Sequence, residues 1–341
     1  MPDKLALARI NAADDLLSQA IKAKSIRIAS RNSQIFEKHS AHPYPLVTPQ
    51  NVTDLVLGQK LQSLGVPVQR PYRVVGMKQS EKDPRITDVY FEDGQVIKAR
   101  YIIDADGAHS VTRTIAGIGF SDPEGPNRVD HVLAQMVAAD VTFEPEPVGS
   151  LTLKGHLNGT ISSDSFFMLM LFGNHFNAEL TRDGNPTRNS IFRVSCAIPA
   201  KNGKPPHAPT KEYIQNVINT YGPAYRPAGL VFKTHSAIAG RTFTRLGAAI
   251  FLVGDAAHVH SPAGGQGMNL SIRDAIFLAE AVTKHIKASA ENPDVDDTTL
   301  QEFAEARRAG NHRPHQEIPE TRKPYVHMLG GCRSAGPLSA I

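Results

Sequence analysis

Alternation marks the first ordered stretch of the chain. In "SIRIAS" (25–30) and "QIFEKHS" (34–40) apolar and polar residues take turns, the period of a strand with one buried face. Ahead of them, 11–24 carries its Leu and Ala at helical spacing. Thr48-Pro49 reads as an N-cap and first-turn proline, opening a helix over Gln50–Leu64 that stops at Gly65. The pattern then predicts a strand over 66–78, a loop over 79–85, a strand over 86–91, a Glu-Asp-Gly turn, and a strand over 96–104. A short helix follows near 111–116. From 119 to 235 the character changes, with strand-like runs at 129–141, 150–157, 165–173 and 190–198, joints rich in Pro, Gly and Asn, and one helix near 211–221. "AAIFLVGD" (248–255) is a continuous apolar run, as in a parallel strand buried on both faces. Helices over about 266–288 and 298–310 come after it. The expected architecture is an α/β unit interrupted by a mostly-β segment, with a binding cleft between the two.

Composition narrows the class. The chain has 341 residues, 41% of them hydrophobic, which suits a globular protein. No apolar run approaches the roughly 20 residues of a membrane span, and the first residues lack the apolar core of a signal peptide. Cys196 and Cys332 are the only cysteines, so neither a disulfide framework nor a CxxC metal site is expected, and a reducing, cytoplasmic setting is. The net charge of +4 is concentrated: Arg307–Arg333 holds six Lys/Arg against two acids. Tyr325 is the single aromatic among those charges, too few for a nucleic-acid platform, so a solvated basic helix end is expected.

Two segments carry candidate chemistry. In "FLVGDAAHVHSPAGGQGMN" an apolar strand ends at Gly254-Asp255. A carboxylate there lies at the carboxyl edge of an α/β sheet, where ligands bind, and can accept hydrogen bonds from sugar or sugar-alcohol hydroxyls. Gly264, Gly265 and Gly267 let the backbone approach a flat ligand, and Ala256 and Ala257 keep the space beside the acid open. The following helix presents free N–H groups to a ligand that carries or develops negative charge. In "YIIDADGAHSVTR" a second strand ends in acid and glycine: Asp106 and Gly107 lead to Ser110, a candidate helix cap, and Arg113, which can hold the turn or a phosphate. His258 and His260 suggest a metal only weakly, since no third ligand is placed near them.

Together and in this order, the segments resemble the motifs of the class A flavin-dependent aromatic hydroxylases, the family of p-hydroxybenzoate and phenol hydroxylases. Asp106, Gly107, Ser110 and Arg113 match its D-G-x-x-S-x-x-R motif. Gly254, Asp255, Ala256, Ala257, His258, Pro262, Gly264, Gly267 and Asn269 match G-D-A-A-H…P-x-G-x-G-x-N. "TPQNVTDLVLGQKLQSLG" and "FAEARR" look like two further helices of that family, so the resemblance covers roughly 40–325.

The resemblance implies an incomplete Rossmann-like FAD-binding domain (1–118 and 236–328), a β-rich substrate domain (119–235) and a tail without structure (329–341). It implies that Asp255 binds the FAD ribitol and that Pro262, Gly264, Gly265, Gln266, Gly267, Met268 and Asn269 face the flavin ring, with Pro262 nearest the chemistry. Gln50 would touch the flavin or its phosphate arm, and Asp106–Arg113 would serve the pyrophosphate and NAD(P)H passage. The implied reaction is hydroxylation of a phenol or similar aromatic by a flavin C4a-hydroperoxide, with NAD(P)H and O2 consumed. No metal is implied, and a homodimer stays open. The apolar run "FFMLMLFGNHF" (166–176) is a candidate pocket wall, with core packing the expectation for most of it. Tyr44, Tyr72, Tyr221 and Tyr225 are candidates for orienting a phenol; His109 and Arg241 are candidates for helping the phosphate and flavin regions. The family's G-x-G-x-x-G unit is not found. The alternative expectation is therefore a truncated, non-catalytic or flavin-poor homologue.

Overall fold

The computed structural model describes residues 7–30, 33–39, 46–121, 134–147, 155–161, 165–174, 176, 185–199, 205–206, 208–222, 237–260, 267–292 and 294–312. Helix α1 (Ala13–Gln19) leads into β1 (Ile21–Lys22), the antiparallel pair β2 (Ser25–Ser30) and β3 (Ser33–His39), and β4 (Leu46–Val47), which returns to β1. Helix α2 (Gln50–Ser63) follows. Pro49, not Thr48, is its N-cap; the Thr48 hydroxyl caps no amide, and the Pro49 carbonyl receives the Val52 and Thr53 N–H groups at 3.2 Å. The end is as expected. Gly65 takes φ +75°, the Gly65 N–H donates to Gln62 O at 2.9 Å, and the Val66 N–H reaches Leu61 O at 3.2 Å. That doubled closure requires a left-handed residue, which glycine supplies without strain.

Strands β5 (Val74–Gln79), β6 (Thr87–Phe91) and β7 (Val96–Ala99) form an antiparallel meander. Residues 66–73 hold no strand, so the predicted strand over 66–78 starts late. The predicted strand over 96–104 is two: Arg100 separates β7 from β8 (Tyr101–Asp104), which joins a different sheet. After β8 come α3 (Val111–Ile115), β9 (Phe120–Ser121), β10 (Ala134–Val141), β11 (His156–Ile161), β12 (Phe166–Gly173), β13 (Ile191–Pro199) and α4 (Lys211–Tyr221). The chain closes with β14 (Ala237–Ala239), β15 (Phe243–Leu246), β16 (Ala248–Leu252), a 3-10 turn over Gly254–Ala256, β17 (His258–Val259), α5 (Gly267–Glu291) and α6 (Thr298–His312).

The largest sheet has the order β10-β13-β12-β11-β2-β3, antiparallel except for the parallel contact of β11 with β2. Two strands from the first forty residues thus extend the sheet of the β-rich stretch. Helix α4 covers one face: Ile214, Val217 and Tyr221 pack on Val137, Phe167, Leu169, Phe192, Val194 and Cys196. Burying an aliphatic or aromatic side chain of this kind stabilises by about 1.5–3 kcal/mol, an upper value because the unfolded chain is already partly collapsed.

The sheet that positions the motifs has the order β15-β16-β8, with β16 and β8 parallel. All five residues of β16 are buried, as its unbroken apolar run requires. Ala249, Phe251 and Val253 pack beneath α5 and α6 against Leu278, Val282 and Leu300, while Leu252 faces Ile118, Ala239 and Ala257.

Candidate functional site

Strands β8 and β16 run side by side in the same direction, with Asp104 opposite Leu252. The Val253 N–H donates to Asp104 O at 3.0 Å, carrying the pairing one step past the strand. The two acid-bearing loops therefore leave the same carboxyl edge of one sheet, where open α/β sheets place their ligands.

The first loop is tied to itself. Asp104 is buried, and its carboxylate accepts the Ser110 hydroxyl at 2.6 Å and the Asp106 N–H at 3.1 Å. Asp106 Oδ2 accepts the Val111 N–H at 3.0 Å and the Thr112 N–H at 3.3 Å, and Ser110 Oγ accepts the Arg113 N–H at 2.8 Å. The opening amides of α3 are thus occupied by its own cap. Arg113 is buried. It donates to Ala108 O at 2.7 Å and to Ala256 O at 2.8 Å, and it lies 3.8 Å from the centre of the Phe120 ring. Its guanidinium ties the two loops together. Gly107 takes φ +89°, and no atom lies within 4 Å of where a Cβ would stand, so a ligand can approach its backbone.

The two acids of this loop titrate apart. Burial, reinforced by the neighbouring Asp106, pushes the Asp104 carboxyl up to about 6. Asp106 is held below the ordinary range: partial burial opposes ionisation, but hydrogen bonds with Asp104, Ser110 and the Thr112 and Val111 amides outweigh it.

The second loop differs. Asp255 sits in the 3-10 turn just past β16, exposed, and no described residue hydrogen-bonds its carboxylate. Ala256 and Ala257 are fully buried, so they anchor the turn from below rather than keeping space open beside the acid. Gly254 has φ +58°, and a Cβ there would come within 3.0 Å of Ser271 Oγ, so the turn is seated on α5. At the start of α5, Gly267 has no atom within 4 Å of a Cβ position, Met268 is 49% exposed, and Asn269 is half-buried. Pro262, Gly264, Gly265 and Gln266 lie outside the described residues. Gln50 is exposed at the first turn of α2. That helix buries Val52 with Phe172 and Ile191 of the large sheet, and Val56 in a cluster that Ile272 of α5 packs against.

An open carboxylate at a strand end and two glycines with free approach fit FAD, a ligand with sugar-alcohol hydroxyls and a flat ring. The model of an FAD binding domain family matches residues 7–309, and the chain belongs to that family. It is 30% identical over 252 residues to a rifampicin monooxygenase of Streptomyces venezuelae, covering 70% of this chain and 45% of the relative. It is 27% identical over 289 residues to a pentachlorophenol 4-monooxygenase of Sphingobium chlorophenolicum, covering 81% and 48%. The chain thus spans about half the length of these curated relatives. The fold is also that of a p-nitrophenol 4-monooxygenase from Pseudomonas putida, with TM-score 0.63, 20% identity, and 96% of this chain and 81% of that one covered. The expected α/β class is therefore correct.

The remaining candidates separate. His109 is exposed, and Arg241 is exposed with its guanidinium 3.5 Å from Ala116 O. Tyr221 is buried at the end of α4 against the large sheet, Tyr72 is exposed beside Phe91, and Tyr44 and Tyr225 lie outside the described residues. Among the described residues no group of three His, Cys, Asp or Glu is placed to hold a metal, and no helix is long and apolar enough to cross a membrane. Sequence reading missed Asp274, buried 2.6 Å from His258 Nε2 and 2.6 Å from Arg307 Nη2. A signal was present. Leu270, Asp274, Leu278, Ala281 and His285 form one buried stripe along α5, and a charge inside such a stripe requires a partner.

Proposed function

We propose that this chain is the FAD-binding and substrate-contacting part of an NAD(P)H-dependent monooxygenase that hydroxylates a phenolic or other aromatic ring. The observation that carries the reading is the shared carboxyl edge of β8 and β16, which brings both acid-bearing loops to one place. The proposed division assigns 1–118 and 236–328 to FAD and 119–235 to substrate, with β2 and β3 completing the substrate-side sheet. The relatives' names, a rifampicin monooxygenase and a pentachlorophenol 4-monooxygenase, support an aromatic substrate.

Bound FAD would supply the redox and oxygen chemistry. The chain's part is binding, orientation and exclusion of water. Asp255 would accept ribitol hydroxyls. Gly107 would let the pyrophosphate arm approach its backbone. Pro262, Gly264, Gly265 and Gln266, with Gly267, Met268 and Asn269, would lie along the ring, and Gln50 would close its side. Asp106, Ser110 and Arg113 would hold the first loop in shape rather than touch phosphate directly. On the large sheet, Met136, Phe166, Met168 and Met170 are half-buried or exposed on the face opposite α4. They suit an aromatic ring, because thioethers are soft and adaptable. A cytoplasmic setting and a homodimer belong to the same proposal.

The test is oxygen transfer. The chain, supplied with FAD, NADH or NADPH, 18O2 and a panel of phenols, is expected to give a product carrying one labelled oxygen. Reduced cofactor consumed with no labelled product from any ring, or no flavin bound, would overturn the reading.

A further inference from the structure

Asp274 lies two turns into α5 and is 4% exposed. Its Oδ1 accepts Nε of Arg307 at 2.9 Å and Nη2 at 2.6 Å. Its Oδ2 accepts Nε2–H of His258 at 2.6 Å and lies 3.4 Å from the Gly254 amide nitrogen. One carboxylate therefore touches the residue before Asp255, the strand that leaves the turn, and α6. Burial opposes its ionisation, but hydrogen bonds and charge from His258 and Arg307 outweigh this and hold the carboxyl below its usual range. His258 is 1% exposed, and its Nδ1 is buried with no hydrogen-bond partner among the described residues. Stacking on His260, with ring centres 5.0 Å apart, and the bond to Asp274 set the orientation of the ring.

A second cluster of the same residue types sits at the other end of the α5–α6 pair. Tyr101 Oη is 2.8 Å from His285 Nδ1, His285 Nε2 is 3.5 Å from Asp297, and Asp297 pairs with Arg245. It joins the start of β8, the β15–β16 hairpin and the start of α6, and it touches neither motif loop. It is an internal control for what such a cluster does by stability alone.

We propose that Asp274 is a positioning residue for the flavin site. Its carboxylate clamps the Gly254–Ala256 turn to α5 and α6, so that the exposed Asp255 and the start of α5 are presented at a fixed separation. The inference rests on the FAD reading above. It differs from a general stability role, because the far cluster would serve stability equally well.

The experiment compares Asp274→Asn with Asp297→Asn in the full chain. Three quantities are read: melting temperature, amide hydrogen exchange without flavin, and FAD affinity from flavin fluorescence. Asp274→Asn is expected to raise exchange over 254–258 by about tenfold and to weaken FAD by about tenfold, the size of losing one charge-assisted hydrogen-bond set. Asp297→Asn is expected to lower the melting temperature comparably while changing both other quantities less than about twofold. Arg307→Lys, which keeps the charge but not the forked contact, is expected to fall between wild type and Asp274→Asn. Equal loss of FAD affinity in both Asn variants at equal loss of melting temperature would overturn the inference. Unchanged exchange over 254–258 in Asp274→Asn would do so as well. If the wild-type chain binds no FAD, the flavin reading fails, and the exchange comparison alone decides whether Asp274 orders the turn.

Discussion

Asp106 and Asp255 follow neighbouring parallel strands, each with a glycine beside it, and they end in opposite states. Asp106 accepts two amides of α3 and serves its own loop. Asp255, exposed as Asp106 is, accepts no hydrogen bond from a described residue. The difference lies in what comes next. Four residues after Asp106 stands Ser110, which caps α3 at once, so the opening amides of that helix occupy the Asp106 carboxylate although the side chain stays exposed. After Asp255 come two buried alanines and His258, which pull the backbone down onto α5 and leave the acid above it. An acid at a strand end is thus a ligand group only where the following residues do not recruit it.

The strongest way to break the comparison is at the link between the loops. Arg113→Ala would leave the Ala108 and Ala256 carbonyls without their donor and remove the stacking on Phe120. A loss of about 2–5 kcal/mol in unfolding free energy is expected from urea denaturation. A loss below about 1 kcal/mol would mean the loops hold their relation without it.

Next come the acids themselves. Asp255→Ala is expected to weaken FAD by about tenfold to hundredfold, as for hydrogen bonds to a charged group, with stability unchanged within about 0.5 kcal/mol. Asp106→Ala is expected to cost about 1 kcal/mol of stability, as a lost helix cap does, with FAD weakened less than in Asp255→Ala. Calorimetry and flavin titration on both variants separate these roles, and the reverse ranking would show the assignment to be wrong. Gly107→Ala should cost about 1–2 kcal/mol from its positive φ alone, since no neighbour is met. Gly254→Ala should cost more, because its Cβ also meets Ser271.

The smallest effect is one of pH. The folded Asp104 carboxyl titrates at about 6, above the ordinary unfolded value of 3.8. The fold therefore holds that proton more tightly than the unfolded chain does. Its contribution to stability is fully present below about pH 4 and is lost as pH rises through about 6. The stability of wild type relative to Asp104→Asn should fall as pH rises through that window and stay flat above it. A difference that grows with pH would contradict the assignment.

Much of this was legible in the pattern of residues. The unbroken apolar run of β16, the amphipathic α4 and the glycine stop of α2 all follow from local spacing. What escaped was non-local. Nothing near Arg100 announces that β7 and β8 belong to different sheets, because both halves alternate acceptably. The parallel contact of β2 with β11 joins residues more than a hundred positions apart. The two acidic motifs were readable as residue types, but their states were not: Asp104 looked like the end of a strand and is the buried hub of its loop. Arg113 was readable as holding either the turn or a phosphate; that it binds two carbonyls, one of them on the other loop, was not.

Whether both loops grip one FAD is decided by a hydrogen-exchange footprint of the chain with and without saturating FAD. Protection of 104–113 and 254–271 together, rising along the same FAD titration curve, is the predicted result. Protection of one loop alone, or of neither while flavin is bound, would contradict it.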